Sequence, residues 1–467
     1  MVWANIQQFG KQTLNIGFFF IIAKFLDPSE LGIFSLAFAL VTSFSIFTDM
    51  GFSAAIIQRK KIDNSHISSV FILNVGAGIL FFFIGIIFSW PLSWLMKSPI
   101  LQPLLVWLSL GFIINSFASI QNSLAQREMK FKALAIRDLF AGLVGGLLGV
   151  IIVIRGYGVW CLVFQSLSTS LISAVLIWQI SSHRPNFSEA SFKVIRELWN
   201  FSSKIFIFTT FKQLVKSLDI WLIGFIFGAE KLGVYAFAKK LVVQSTSSLE
   251  MGLGSFLFTK ASRVQEDPQK ISQMYILSYK TLNYFTFFTL TALLAFGPFL
   301  IPEIFGDKWE GVIPVLWILV LIPITHPLMV PIGHIMKALE KPGWLIKWSI
   351  LITCLSMGGL VLGSLLGFYQ ALLGMALGYF ISLIEIKRTC SKYNLIKWES
   401  FKEEIIPSYL AGGLFLILML FGVNYFQLSW LLFFTFILGG LLLWCFIIFL
   451  LDRKYILGLF SNFKTVG

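Results

Sequence analysis

The sequence predicts an all-α, polytopic membrane protein of about fourteen transmembrane helices, built as two parallel six-helix repeats that form two lobes, with a C-terminal helix pair. Three observations carry this expectation. First, 57% of the 467 residues are hydrophobic and only 12% are charged, whereas soluble domains carry about 25% charged residues. The bilayer is therefore the solvent, and backbone groups that meet no water there must pair within a helix. Second, KFLDPSELGIFSLAFALV from Lys24 returns as FIFGAEKLGVYAFAKKLV, 201 residues later. At this offset ten of the fifty positions from 11 to 60 are identical without a gap. They include Lys11 with Lys212, Gly32 with Gly233, and Met50 and Gly51 with Met251 and Gly252. Apolar helices resemble one another easily, but chance rarely holds one register through two helices, their polar connection and the following charges. Third, the basic residues alternate in side. With the first residue placed inside, the even-numbered connections and both tails hold most of the 36 Lys and Arg, while the opposite connections hold only Lys24, Lys97, Arg155, Lys231 and Lys308. Such asymmetry is the positive-inside rule and places both termini in the cytoplasm. A net charge of +14 distributed this way excludes a nucleic-acid patch as its explanation.

Each element follows from a stretch of about 20 apolar residues, the length that crosses a roughly 30 Å hydrocarbon core. Lys11–Leu26 and Leu31–Ile57 are joined by Asp27, Pro28, Ser29 and Glu30, which read as a turn followed by a helix cap. Ser68–Trp90 follows the cluster Arg59, Lys60 and Lys61, and Leu101–Leu124 precedes Arg127, Lys130, Lys132 and Arg137. Leu139–Ile154 and Gly158–Ile180 close the first repeat. The second comprises Ser203–Phe227, Leu232–Phe258, Tyr275–Ile301, Val312–Met336, Leu345–Leu366 and Tyr369–Ile386, and Ile405–Val423 and Leu428–Leu451 form the final pair. The predicted domains are an N-terminal lobe over 1–185, an interfacial amphipathic linker helix over 186–202, a C-terminal lobe over 203–386, an interfacial linker over 387–404, the helix pair over 405–451 and a cytoplasmic tail over 452–467. In the first linker Ser188 is placed to cap a helix with Phe192, Ile195 and Leu198 or Trp199 on one face. Ser400, Phe401 and Lys402 echo Ser191, Phe192 and Lys193. The first helix aligns with an internal one, so it is expected to remain as an anchor and not to be cleaved as a signal peptide.

Glycines repeat every four residues at Gly145 and Gly149, at Gly359, Gly363 and Gly367, and at Gly374 and Gly378, a face that allows close helix packing within the chain. The tenth span carries Pro314, Pro323, Pro327 and Pro331, each lacking a backbone donor; Pro323, Pro327 and Pro331 mark a possible hinge. Cys161, Cys354, Cys390 and Cys445 are scattered without metal spacing and read as packing residues. No metal or cofactor is expected, and the absence of Walker, GxSxG, HExxH and paired CxxC motifs leaves no visible catalytic site. His326 and His334, eight apart, lack the further ligands a metal needs.

Charges inside the membrane cost about 2.5–3.5 kcal/mol each on insertion scales, so they point to a cavity or a partner. Lys212, Lys216 and Asp219 fall on one face of the seventh helix, and the equivalent Lys11 and Asn15 lie on the first. Lys239, Lys240 and Glu250 follow on the eighth, with Asp49 at the position equivalent to Glu250. The six residues Lys11, Asn15, Lys212, Lys216, Lys239 and Lys240 are the expected anion site, with pyrophosphate as the matching ligand. Asp49, Asp219 and Glu250 are the candidates for ion coupling. The copies differ where Asn15 meets Lys216 and Thr42 meets Val243, which predicts an asymmetric cavity.

The segments KFLDPSELGIFSLAFALV, TDMGFSAAIIQRK, QREMKFKALAIRDL, GYGVWCLV and LDIWLIGFIFGAEKLGVYAFAKKL resemble the polysaccharide transporter branch, Wzx-like and WzxC-like, of the multidrug/oligosaccharidyl-lipid/polysaccharide flippase superfamily. The resemblance covers nearly the whole chain. It implies a non-enzymatic flippase in a bacterial cytoplasmic (inner) membrane, moving a polyprenyl-pyrophosphate-linked oligosaccharide of an O-antigen or exopolysaccharide between leaflets by alternating access. Membrane lipids, a polysaccharide polymerase and a chain-length regulator are the partners it implies. A drug antiporter of the same superfamily is the alternative, but its proton-coupled members resemble one another in an acid within helix one, where this chain has Lys11, Asn15 and Lys24. A polyprenyl-sugar polymerase or glycosyltransferase would need a large external loop, and the external connections here are short.

Overall fold

Asp27 and Gly228, equivalent across the repeat, each end one helix and begin the next by different means. The computed structural model describes residues 2–393, 395, 405–425 and 430–452. Helix α1 (Val2–Ala23) stops short of Asp27, and α2 (Pro28–Phe44) starts after it. Pro28 fits a first helical position, and the Glu30 carboxylate accepts from the Asp27 amide at 3.0 Å, completing a capping box. The turn-and-cap reading of Asp27 and Glu30 thus describes this corner. In the second copy Gly228, at φ 79° and ψ −178°, makes the corner alone, and the flanking helices join into α9 (Phe192–Ala261). Only glycine adopts that conformation without strain, which makes up for the missing acid pair. The chain divides into two units, Met1–Ala236 and Phe237–Gly467, at a point inside α9.

The first unit continues with the short α3 (Ile46–Asp49) and α4 (Phe52–Gln58), then α5 (Asn64–Leu95), α6 (Leu101–Arg127), α7 (Phe131–Ile154) and α8 (Trp160–Ile180). α5 packs on α6, α7 on α8, and α1 on α7. Gly145 and Gly149 of α7 lie against Gln165, Thr169 and Cys161 of α8, so the predicted glycine face serves packing within the chain. The two repeated corners meet each other in this unit. A methyl group on Gly32 would overlap the Ala229 carbonyl oxygen, and one on Gly233 would overlap the Pro28 carbonyl oxygen. Residues 28 and 229 are themselves repeat-equivalent, so the contact is reciprocal and has local two-fold character.

The segment expected as a separate surface helix over 186–202 departs from that expectation. Ser188 lies in a short 3-10 turn capped by Asn186, and the helix that starts at Phe192 runs on as the first turns of α9. Leu198 is buried in a cluster with Phe52, Ile56, Ile67 and Leu124, flanked by Val194 and Ile195. Its apolar face therefore packs on α4, α5 and α6, and Glu197 pairs with Arg59 at 2.5 Å. The rest of that face stays open, with Phe192 81% and Trp199 44% exposed. Arg137, expected in a connection, is also different: α7 begins at Phe131, and Arg137 is buried inside it.

One guanidinium closes the end of α4. Arg127 Nη1 donates to the carbonyls of Ile56 at 2.7 Å, Ile57 at 3.2 Å and Arg59, and Nη2 donates to Lys60 at 2.9 Å. Carbonyls at a helix C-terminus lack partners within the helix, and a cation matches their dipole. Arg127→Ala should lower stability by about 2–3 kcal/mol, read as an earlier thermal transition of the purified protein in nanodiscs; Arg127→Lys should recover part of the loss.

In the second unit Asp267 caps α10 (Pro268–Phe305) by accepting from the amides of Gln269 and Lys270, both at 3.1 Å. The proline-rich span is broken into α11 (Val312–Leu319), a 3-10 turn over Pro323–Thr325 and α12 (His326–Ala338), so the three prolines named for a hinge border or follow the break. α13 (Pro342–Ser364) and α14 (Phe368–Lys392) pack backbone to backbone: Gly359 against Gly374, Gly363 against Gln370, and Gly378 against Leu355. α15 (Ile406–Tyr425) lies along α10, where the Tyr279 and Ser408 hydroxyls are 2.6 Å apart, and α16 (Trp430–Leu451) stacks Trp444 on Phe415. Ser400, Phe401 and Lys402, and the tail from 453, lie outside the described residues.

Among the described residues ten helical stretches are long and apolar enough to cross a membrane. α9 contributes a leg on each side of Gly228, and α1, α15 and α16 complete the predicted set. The chain is a multi-pass, all-helical membrane protein.

Candidate functional site

Lys212 and Lys216, one turn apart on α9, are both exposed, as are Lys11 and Asn15 at the equivalent positions of α1. The thirteen residues from Ser203 to Lys216 rise about 20 Å at 1.5 Å each. If the span starts at Ser203, as the sequence predicts, that is further than a four-carbon stem reaches back to the membrane surface. An ammonium group left exposed at that depth needs water or an anion beside it. Asp219 follows on the same side by helical period, but unlike the lysines it is buried. Asp219 is 7% exposed; the Tyr235 hydroxyl donates to its Oδ2 at 2.5 Å and the Ile220 amide to its Oδ1 at 2.9 Å. Seven residues from Lys212 advance a helix by about 700°, which keeps Asp219 on the side of the lysines; what buries it is its neighbourhood, with the Tyr235 hydroxyl bonded to its carboxylate. Lys239 and Lys240 belong to the second unit and are half-buried.

Asp49 and Glu250 are equivalent in sequence but differ in setting. After Asp49 the chain leaves the helix, with Met50 at φ 47° and Gly51 at φ 79°, whereas α9 continues through Met251 and Gly252. Gly51 has little choice, because a Cβ there would crowd the Ser202 carbonyl oxygen. Oδ1 of Asp49 accepts from the Ser119 hydroxyl at 2.9 Å, from Asn74 Nδ2 at 3.3 Å and from the Ser53 hydroxyl. Glu250 instead meets His326, its Oε1 2.8 Å from Nδ1. The pair opens on a cavity of about 250 Å³, lined also by His334, Lys337, Trp348 and Tyr379. His334 fits against α9 because Gly254 there has no side chain. A larger groove of about 570 Å³ between α6 and α8, lined by Ile113, Phe117, Leu171, Val175 and Trp178, is apolar apart from its edge and suits acyl chains, not a charged head group.

Other polar groups were not singled out by the sequence. Lys280 Nζ lies 2.6 Å from Asp452 Oδ2, to which Tyr284 also donates at 2.7 Å, and both charged residues are buried. A lysine five residues into an apolar span was the available signal, but its partner lies 172 positions away. Arg137 donates to Asp138 through Nε at 2.9 Å and Nη2 at 2.6 Å and to Asn122 through Nη1, and Gln7 Nε2 donates to Asp138 at 2.8 Å. Ser53, Asn74 and Ser119 are inconspicuous alone, and only the fold brings them to Asp49.

Comparison with known proteins agrees with this architecture. Residues 21–314 match a family model described as polysaccharide biosynthesis protein. The chain is 23% identical over 386 residues to the lipopolysaccharide biosynthesis protein WzxC of Escherichia coli (strain K12), covering 80% of this chain and 75% of that one. It is 24% identical over 437 residues to the probable low-salt glycan biosynthesis flippase Agl15 of Haloferax volcanii, covering 90% and 89%. The solved structure of the lipid II flippase MurJ, in an inward closed conformation, shares the fold at a TM-score of 0.78 and 14% identity, covering 98% of this chain and all of that one. With a family match that runs from the end of α1 into α11, over more than half of the residues, the chain belongs to the polysaccharide biosynthesis protein family.

Proposed function

We propose that this protein is a flippase that carries a polyprenyl-pyrophosphate-linked oligosaccharide across the bacterial cytoplasmic membrane by alternating access, with both termini in the cytoplasm. The observation that carries the reading is the exposed basic pair Lys212 and Lys216 deep in an apolar helix, with Lys11 and Asn15 exposed at the repeat-equivalent positions of α1. Two ammonium groups a turn apart match the two negative centres of a pyrophosphate, and a site of low dielectric strengthens that attraction. The polyprenyl tail would stay in the bilayer, which removes any need to enclose it. The kinship with WzxC and Agl15 supports a glycan-linked lipid as the cargo class. Lys239 and Lys240 are proposed to add to the anion contacts in the second unit. The cavity beside Glu250 and His326 offers donors next to the rings of Trp348 and Tyr379, a lining suited to the apolar face and hydroxyl edge of a sugar. The predicted division into lobes over 1–185 and 203–386, and the polymerase and chain-length regulator as partners, are part of the same proposal. Asp49, Asp219 and Glu250 are proposed as the coupling acids, Asp49 among the hydroxyls of Ser53 and Ser119, Asp219 beside Tyr235 and Glu250 facing His326.

The test is transport by purified protein in liposomes, read as the appearance of the oligosaccharide on the opposite leaflet by its accessibility to a sugar-modifying reagent. Lys212→Gln with Lys216→Gln should slow translocation at least about tenfold, as expected for the loss of charge-assisted hydrogen bonds, while membrane insertion is unchanged. Undiminished transport by that variant would remove the basic pair from the mechanism. In cells, loss of the protein should leave the complete lipid-linked oligosaccharide on the cytoplasmic side; flipped but unpolymerised units would reject the flippase reading for a polymerase.

A further inference from the structure

Donors outnumber acceptors in one cavity of the second unit. It lies between the second leg of α9, α12, α13 and α14, and is lined by Glu250, His326, His334, Lys337, Trp348 and Tyr379. Trp348 Nε1 is buried and has no hydrogen-bond partner among the described residues. An indole N–H can only donate, so it calls for an acceptor. Lys337, exposed at the penultimate position of α12, makes no ion pair among the described residues. His334 stands one turn before it, with its imidazole in the notch left by Gly254. The Glu250 and His326 pair lies eight residues further along α12, about 12 Å deeper, and its members satisfy each other at 2.8 Å.

The charge balance names the missing acceptor. With Glu250 engaged by His326, the Lys337 ammonium is the charge left over, and it matches one negative charge. A carboxylate supplies that charge and accepts at both oxygens, so it can meet Lys337, His334 and Trp348 Nε1 together. The remaining lining is largely apolar, with Met329, Leu345 and Ile352 beside the Tyr379 ring. Such a wall suits the carbon face of a sugar ring and not a small, fully hydrated anion. At about 250 Å³ the cavity is smaller than the roughly 300–1,000 Å³ of a drug-sized pocket, so it takes one sugar residue and not a whole oligosaccharide. Because Lys337 stands at the end of α12, the mouth lies near the membrane surface. On the proposed topology that surface is cytoplasmic, the side on which the cargo is loaded.

We propose that this cavity is the subsite for a carboxylate-bearing sugar of the cargo, such as a uronic acid. Lys337, His334 and Trp348 Nε1 receive the carboxylate, and Tyr379 covers the ring. Its part in translocation rests on the flippase reading, but its occupation by a sugar does not. The probe is therefore radioactive methyl glucuronide, equilibrated with the purified full chain in nanodiscs of phosphatidylcholine alone. Wild-type protein should bind it saturably and at least about tenfold more tightly than methyl glucoside, the same ring without the charge, a ratio equal to one charge-assisted hydrogen bond. Lys337→Met should remove that preference. Trp348→Phe, which keeps a ring and loses the N–H, should weaken glucuronide binding about tenfold at an unchanged elution profile. Lys347→Met, at an exposed lysine outside the cavity, should leave binding unchanged. Equal affinity for the two glycosides, or undiminished glucuronide binding by Lys337→Met, would overturn the assignment. Displacement by equimolar acetate would overturn it in favour of a site for any carboxylate, and displacement by added phosphatidylglycerol in favour of a lipid head group. A protein that transports but binds neither glycoside would reject the subsite and keep the flippase. One that binds the glucuronide but moves no lipid-linked oligosaccharide would keep the subsite and reject the flippase.

Discussion

Gly32→Ala is expected to destabilise the protein by about 3 kcal/mol or more, the upper range for forcing volume into a packed site. The added methyl overlaps a backbone oxygen, that of Ala229, and not the end of a pliable side chain. Relief requires the two corners to separate, which would disturb the capping box of Asp27 and Glu30 and the turn at Gly228 together. Gly233→Ala should cost a similar amount, because it presses on the carbonyl of Pro28 in the same contact. Once one substitution has parted the corners, the second meets less resistance, so the double variant should cost less than the sum of the singles. Thermal unfolding in nanodiscs measures all three. Gly17→Ala is the control: nothing lies within 4 Å of its added methyl, and stability should hold or rise with helix propensity. Equal effects at Gly17 and Gly32 would refute the reciprocal contact.

Lys280→Met should cost about 3–5 kcal/mol, the usual penalty for leaving one member of a buried ion pair alone. Asp452, 8% exposed, would lose the Lys280 ammonium while still accepting from the hydroxyl of Tyr284. Asp452→Asn should be costly for the converse reason, since it removes the negative charge 2.6 Å from the Lys280 ammonium, itself 5% exposed. Lys280→Met combined with Asp452→Leu should restore most of the loss, because two apolar side chains of similar volume need no desolvation. The readouts are the thermal transition and protease resistance of the helix ends after reconstitution. If the double variant is as unstable as the singles, the pair holds α10 and the end of α16 by shape and not by charge.

The helices were legible in the sequence because each depends mainly on its own residues. About 20 apolar side chains with the backbone satisfied internally make a span wherever they occur. The corners were legible for the same local reason: Asp27 and Glu30 announce a cap, and prolines announce the break before His326. The basic residues could be placed on helices, and Lys212 and Lys216 do share an exposed face. The burial of Asp219 on that side was not legible, because its cover by Tyr235 depends on a neighbour that the helical period does not contain. The linker was misplaced for a related reason. Its amphipathic pattern shows an apolar face but not that the helix runs on into the next span, nor that Leu198 joins the cluster around Phe52 and Leu124.

By itself, then, the sequence determined an all-helical membrane protein with a duplicated plan, its corners and its supply of intramembrane charge. These depend on solvent, chain length and local backbone chemistry. Only the tertiary structure decided what each charge meets. The repeat offset makes Asp49 and Glu250 equals, yet one lies among hydroxyls and an unsatisfied amide and the other against an imidazole. An ionised group's role follows from the atoms within a few ångströms of it, and those atoms come from helices distant in the chain. Asn74 and Ser119 reach Asp49, and His326 reaches Glu250, only after the helices have packed.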